Sequence, residues 1–195
     1  MATKRMPVSA ALAQLVKHRT NEIVVTTMGA TREWARISHS PLDFHYLPSA
    51  MGHAPMIALG LALAQPTREV IVLNGDGSLL MSLGCLVTIA ASGVKNLTVI
   101  LLDNGVYEVT GGQPTPAAQA SVNYVGLARG AGIRTAVSYE DLDHWQHALP
   151  GALQSAGPRF IALRVEPVQE DFVPKLATSM LERIVSFQRA IAVTQ

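Results

Sequence analysis

The sequence predicts an α/β fold, a single three-layer domain whose central parallel sheet is flanked by helices. Three observations carry this expectation. Two runs made almost wholly of apolar residues, Val70-Ile71-Val72-Leu73 and Leu97-Thr98-Val99-Ile100-Leu101-Leu102, have the character of strands buried on both faces, as parallel strands are. Strand-like and helix-like segments alternate along the chain, which favours a sheet covered on both sides. A length of 195 residues suits one buried core and leaves little room for a second domain.

Taken in order, residues 8–19 read as a helix with Ser9 as its cap, 22–27 as a strand, 31–37 as a short helix and 53–64 as a mostly buried helix. The strand at 70–73 leads into a helix over 78–91 and then into the strand at 97–102. Residues 105–120 hold three glycines and two prolines without an apolar period. Loops of that length are often functional, so this one is expected to cover a ligand or contact a partner, with a short helix inside it. A helix over 122–131 ends at Gly132, a short strand follows at 133–136, then a helix over 141–156 and a strand over 160–165. The chain closes on a long amphipathic helix over 175–192, within a C-terminal segment 175–195 placed to touch a partner. No internal repeat or low-complexity stretch interrupts this order.

Composition narrows the function classes. Fifteen lysines and arginines against 14 acidic residues give a net charge of +1, and the basic residues are scattered, so neither nucleic acid nor a membrane surface is an expected partner. Residues 1–7 are polar and basic without a following apolar core, and no apolar stretch reaches the roughly 18 residues a membrane span needs. One cysteine, Cys85, cannot form an internal disulfide and falls within a helix, where a core position is expected. A cytoplasmic setting fits these traits. The chain is nevertheless 49% hydrophobic and only 15% charged, an apolar surplus expected to face another protein.

The chemistry concentrates at two strand ends. Gly75-Asp76-Gly77-Ser78 follows the first apolar run, and Asp103-Asn104-Gly105 follows the second, with Asn104 placed 28 positions after Asp76. Ligands of open α/β sheets collect where strands end, and a carboxylate with a carboxamide oxygen suits a hard cation that holds a diphosphate. Magnesium takes one or two protein side chains plus phosphate oxygens, a count that Asp76 and Asn104 meet. Gly75 and Gly77 allow a sharp turn and a close approach, and Ser78 falls in the first turn of the next helix, where its hydroxyl and open amides can receive a phosphate oxygen. A Gly-Asp-Gly by itself is a common turn. Its position between a strand and a helix, followed by a second strand with this ending, sets it apart.

The pattern resembles the thiamine diphosphate and magnesium motif of thiamine-dependent enzymes. That resemblance implies a third metal ligand, the backbone carbonyl of Val106, and cofactor contacts from Tyr107 in the same run. Upstream, the segment 47–64 resembles the stretch that passes under the thiazolium ring of this family. By position, Met51 is then the apolar prop that bends the cofactor, and the carbonyl of Ser49 accepts a hydrogen bond from the aminopyrimidine. Gly29 and Thr31 correspond to the diphosphate-contacting segment, which is one residue shorter than the family pattern. His53, next to the prop, is placed to touch cofactor or substrate, and His45 is a weaker candidate.

Together with Gly52-His53-Ala54 and Thr31-Arg32-Glu33, the run from Asp103 to Thr115, and Gly-Gly-Gln-Pro-Thr within it above all, resembles phosphonopyruvate decarboxylases and the beta subunit of sulfopyruvate decarboxylase. The resemblance implies a decarboxylase of small anionic 2-oxo acids, in which residues 1–195 form one domain binding thiamine diphosphate and Mg2+. It also implies a pyrimidine-binding alpha subunit of similar size that supplies the activating glutamate, in an α2β2 or larger assembly. Arg32 and Arg36 could attract a sulfonate or phosphonate, although Arg36 reads equally as a solvated helix residue, and Glu108 and Gln113 are near enough to the metal loop to shape the pocket. His144 and His147 share a helix face without a further ligand and read as surface residues. The same half-site would also serve an acetohydroxyacid synthase-type carboligase or a non-catalytic scaffolding paralogue. A 2-oxoacid:ferredoxin oxidoreductase subunit would normally carry clustered cysteines, which this chain lacks.

Overall fold

The computed structural model describes residues 5–46, 51–168 and 178–192. Six parallel strands form its central sheet: β1 (Ile23–Thr27), β2 (Asp43–Tyr46), β3 (Val70–Gly75), β4 (Leu97–Asp103), β7 (Thr135–Tyr139) and β8 (Arg159–Arg164), in the spatial order β2-β1-β3-β4-β8-β7. The middle strands β3 and β4 are buried along nearly their whole length, which is why both read as continuous apolar runs.

Side chains alternate between two cores. One face, with Ile23, Val25, Val70, Val72, Leu97, Val99, Leu101 and Phe160, packs against α3 (Ala54–Ala64), α5 (Cys85–Ala91) and α7 (Tyr124–Gly130). The other, with Val24, Ile71, Leu73, Ile100, Leu102, Ile161 and Leu163, packs against α1 (Val8–His18), α2 (Met28–Ile37) and α8 (Leu142–Gln154). The two indoles are fully buried and keep their N–H groups partnered: Trp34 donates to Asp43 Oδ1 at 2.9 Å and Trp145 to the Ala11 carbonyl at 3.0 Å. Helix α9 (Met180–Ala192) lays Phe187 against Phe44 of β2, ring centroids 5.0 Å apart. The expected start of this helix, at 175, lies outside the described residues. Cys85 is buried in the first core, and burial pushes its thiol up to about 11.

The three-layer architecture is the expected one, with local differences. Strand β2 has no counterpart in the sequence reading: Asp-Phe-His-Tyr is short, polar and only half-buried, because it is an edge strand paired on one side with β1. The helix expected over 78–91 is interrupted, α4 (Asp76–Leu80) being separated from α5 by turns over 81–84 that end on Gly84 as the N-cap. The strand expected at 133–136 starts two residues later and reaches Tyr139. Helix α1 begins after Pro7, and no side chain caps it, so Ser9 is an ordinary helical residue. The region 105–120 is ordered: a hairpin of β5 (Val106–Tyr107) and β6 (Gln113–Pro114) encloses a 3-10 turn at Glu108–Thr110 and leads into the short helix α6 (Pro116–Gln119).

From β1 the chain moves outward to β2 over one face, then returns over the other face to β3. The crevice between the carboxyl ends of β1 and β3 is therefore the switch point at which open α/β sheets take ligands.

Candidate active site

A cleft opens at that switch point. It is lined by Met28 and Gly29 after β1, Gly75 at the end of β3 with Asp76 to Ser78 after it, Asn104 after β4, Val106 to Thr110 of the hairpin, and Met51. Most of the residues singled out by sequence thus converge: Gly75, Asp76, Gly77, Ser78, Asn104, Val106, Tyr107 and Met51 share one wall or another of the same cavity.

Asp76 is the centre of the arrangement. It is 1% exposed; its Oδ2 accepts a hydrogen bond from the Thr115 hydroxyl at 3.2 Å, and its Oδ1 is buried with no hydrogen-bond partner among the described residues. Burial, reinforced by the Asp103 carboxylate, pushes the Asp76 carboxyl up to about 6 against the Thr115 hydrogen bond; the backbone N–H groups of Gly77 and Gly105 are near enough to temper the shift without meeting hydrogen-bond geometry. Asp103 is itself raised by burial, with Arg164 and Arg5 working against the shift. A buried carboxylate oxygen with nothing to bond is costly unless a cation meets it. Asn104 stands one strand over. Its side-chain oxygen accepts the Val106 N–H at 2.9 Å, shaping the turn, and its carbonyl accepts from the Arg5 guanidinium. A carboxamide oxygen has a second lone pair, so this bond leaves it able to bind a cation. No group of three or more His, Cys, Asp or Glu able to hold a metal occurs among the described residues. A cation here would rest on one carboxylate with neutral oxygens, the donor set of magnesium rather than zinc.

The glycines of the motif do different work. A Cβ on Gly75 would meet nothing within 4 Å, leaving open space beside the strand end. A Cβ on Gly77 would sit 2.5 Å from Tyr107 Cδ1, so the ring of Tyr107 lies directly on this glycine. Ser78 accepts the Gly52 N–H at 2.9 Å and ties the segment after Met51 to the motif.

Other expected residues are placed elsewhere. Thr31 is fully buried, donating to Thr26 Oγ1 at 2.9 Å, and does not line the cleft; Thr26 in turn meets His45 Nδ1 at 2.9 Å. Burial lowers His45 below its ordinary value. His53 is the exposed N-cap of α3, its Nδ1 3.1 Å from the Met51 carbonyl, and it does not line the cleft. Ser49 lies outside the described residues. Arg32 is held by Glu33 at 3.2 Å and Glu108 at 3.1 Å, while Arg36 is a half-exposed surface arginine 3.7 Å from Glu33. Gln113 is exposed, and His144 sits edge-on to Tyr139.

Met28, next to Gly29 in the segment expected to contact the diphosphate, lines the cleft with φ +52°, a left-handed conformation that is strained for a side chain of this kind. Sequence reasoning passed over two other residues. Asn74, the residue before the motif, is fully buried, and both its amide atoms lack partners among the described residues. A polar residue ending an otherwise apolar strand is the signal that would have marked it. Burial raises the Tyr124 phenol, with Asp76 and Asp103 adding to the effect; Thr115 is close enough to temper this shift without meeting hydrogen-bond geometry.

The crevice at the sheet's switch point thus holds a buried carboxylate with one oxygen unpartnered among the described residues, and a carboxamide oxygen stands at the end of the adjacent strand, an arrangement compatible with the thiamine-dependent class. Residues 14–163 match the family described as "Thiamine pyrophosphate enzyme, C-terminal TPP binding domain", and the chain belongs to it. Over 169 residues it is 41% identical to the sulfopyruvate decarboxylase subunit beta of Methanothermobacter thermautotrophicus, covering 85% of this chain and 86% of that one. It is 42% identical over 145 residues to the phosphonopyruvate decarboxylase of Streptomyces hygroscopicus, covering 74% of this chain and only 35% of the relative's length. Among solved structures, a thiamine diphosphate-dependent 4-hydroxybenzoylformate decarboxylase from Rhodococcus jostii shares the fold with a TM-score of 0.71 at 24% identity, over 87% of this chain and 34% of that one.

Proposed function

We propose that this chain is the diphosphate- and magnesium-binding subunit of a heteromeric thiamine diphosphate-dependent 2-oxo acid decarboxylase acting on sulfopyruvate- or phosphonopyruvate-like substrates. The observation that carries the reading is the buried Asp76 carboxylate, one oxygen of which has no partner among the described residues, at the end of β3 beside the switch-point crevice. Support for the substrate class comes from relatives named as beta subunits of sulfopyruvate decarboxylase, which align over most of both chains.

Asp76, Asn104 and the backbone of Val106 would hold Mg2+, and the Gly75-Asp76-Gly77-Ser78 turn would receive the diphosphate. Thiamine diphosphate, when bound, supplies the nucleophilic carbon and electron sink that a 2-oxo acid needs to lose carbon dioxide. The chain's own part is to anchor, bend and shield. Met51 supports the bent form of the cofactor, and Ser49 belongs to the cofactor-contacting set, whereas Thr31 stays with Thr26 outside the cleft. Tyr107, resting on Gly77, closes the cleft on the hairpin side. His53 stays outside the cleft, its ring against the Met51 carbonyl.

The activating glutamate belongs to a pyrimidine-binding alpha subunit in an α2β2 or larger cytoplasmic assembly. A surface for it is at hand: α3 and α5 pack together and leave Met56, Leu63, Met81 and Val87 exposed beside them, and the C-terminal helix exposes Leu181 and Val185. Among the described residues no helix is long and apolar enough to cross a membrane. The test is carbon dioxide release from sulfopyruvate, phosphonopyruvate and pyruvate by the chain alone and mixed with its partner. Turnover is expected to require the partner, and sulfopyruvate or phosphonopyruvate, with its second acidic group, is expected to exceed pyruvate. Calorimetry on the same complex is expected to give magnesium-dependent cofactor binding that Asp76→Ala abolishes; undiminished affinity in that variant would remove the metal assignment.

A further inference from the structure

Thr115 belongs to neither strand-end motif, yet it is bonded to both. It is fully buried, its hydroxyl lies 3.2 Å from Asp76 Oδ2, and its backbone N–H donates to the Gly105 carbonyl at 2.9 Å, inside the turn between Asn104 and Val106. The same hydroxyl oxygen accepts the Ala118 N–H at 3.2 Å, so Thr115 is also the N-cap of α6.

These bonds fix the direction of the one that matters. A threonine hydroxyl has a single proton, and an ionised carboxylate can only accept. With Ala118 donating to the oxygen, the Thr115 proton goes to Asp76 Oδ2. That bond pins the carboxylate's rotation, so Oδ2 is committed to the protein while Oδ1 keeps its lone pairs unused among the described residues. Because the Thr115 backbone holds Gly105, one residue links the end of β3 to the turn after β4.

We infer that Thr115 is a positioning residue for the cation: its hydroxyl selects Oδ1 of Asp76 as the ligand oxygen, and its N–H holds the Asn104–Val106 turn at a matching distance. Thr115 itself does not touch the cation. The inference rests on the reading of Asp76 as a metal ligand given above. It assigns to the Thr of the Gly-Gly-Gln-Pro-Thr run a task that a helix cap alone would not require. Partners of this kind, one bond behind a ligand, typically cost 10- to 100-fold in metal affinity when removed.

The experiment titrates Mn2+ into the full chain, assembled with its partner subunit and thiamine diphosphate, following the loss of the free-ion EPR signal. Thr115→Val keeps the shape and removes the hydroxyl; Thr115→Ser keeps the hydroxyl. The valine variant binds Mn2+ at least tenfold more weakly, and the serine variant stays within about threefold of the parent. A cap-only role predicts a lower melting temperature with an unchanged Mn2+ midpoint, and that result overturns the inference. Equal weakening in both variants overturns it as well. If the valine variant does not fold, Thr115→Ala removes the hydroxyl without placing a methyl beside Asp76 and is read the same way. Absence of any Mn2+ binding by the parent complex overturns the cation reading and the inference together, whereas parent-like binding by the valine variant overturns the inference alone.

Discussion

Arg32 Nη2 and Glu108 Oε2 meet at 3.1 Å across 76 positions of sequence, both side chains almost buried. Glu108 spends its other oxygen on the Val168 N–H at 2.6 Å, and its carboxylate lies where a Cβ on Gly29 would come within 2.6 Å. One carboxylate therefore fastens the hairpin to the start of α2 and to the segment after β8. Removing it takes one carboxylate from a buried guanidinium and leaves the Val168 amide without this acceptor. Glu108→Ala is expected to destabilise by about 3 kcal/mol, and Glu108→Gln by about 1 kcal/mol, since the amide oxygen can still accept from Val168. Urea unfolding of the three proteins checks both figures.

The Asp76 carboxyl is raised from 3.8 to about 6 by burial, so the folded protein without metal holds a proton that the unfolded chain has lost. Its contribution to stability is complete below about pH 3.8 and disappears as pH rises through about 6, a loss of roughly 3 kcal/mol, with Asp103 shifted in the same direction. Magnesium with the cofactor should reverse this where the carboxylate is ionised. Melting curves are expected to show a large magnesium-dependent stabilisation at pH 7.5 and almost none at pH 5. Asp76→Asn abolishes the difference while melting at least as high as the parent without metal at pH 7.5.

Gly77→Ala drives a methyl into the Tyr107 ring, at 2.5 Å from Cδ1. We expect a cost of about 1–3 kcal/mol, most of it relieved in the Gly77→Ala/Tyr107→Ala double variant. A thermodynamic cycle with no coupling between the two sites would show that the ring can simply move aside.

Met51→Ala should lower turnover far more than it weakens cofactor affinity, because the diphosphate and metal contacts remain while the reactive geometry loosens. Steady-state kinetics beside calorimetry of the assembled enzyme separate the two. Equal losses in both measurements argue against a propping role.

What the sequence made legible follows from how each element is stabilised. Strands β3 and β4 are buried on both faces, and such strands announce themselves as apolar runs; Asp76 and Asn104 stand out as polar residues just past those runs, and the fold brings both to one cleft. Strand β2 is held by pairing with β1 and by the bonds of Asp43 to Trp34 and Ser38, interactions without a periodic signature. The break in the helix over 78–91 depends on turns that apolar spacing does not register. The hairpin of 105–120 has strands of two residues each, too short for any pattern, and is tied down by Thr115 and Glu108, whose partners lie 39 and 76 positions away. Such distant pairings leave no local trace.

Asp76 and Asn104 stand just past the point where Gly75 pairs with Leu102, on the two innermost strands of the sheet. Their separation is accordingly set by a hydrogen-bond ladder that has a neighbour on each side, while β2 and β7 each have one. Amide exchange is expected to reach the outer strands first and the two innermost last. The cation pair would then outlast partial opening of the sheet's margins, and a chain breathing at its edges would keep its grip on a bound metal until the whole sheet gives way.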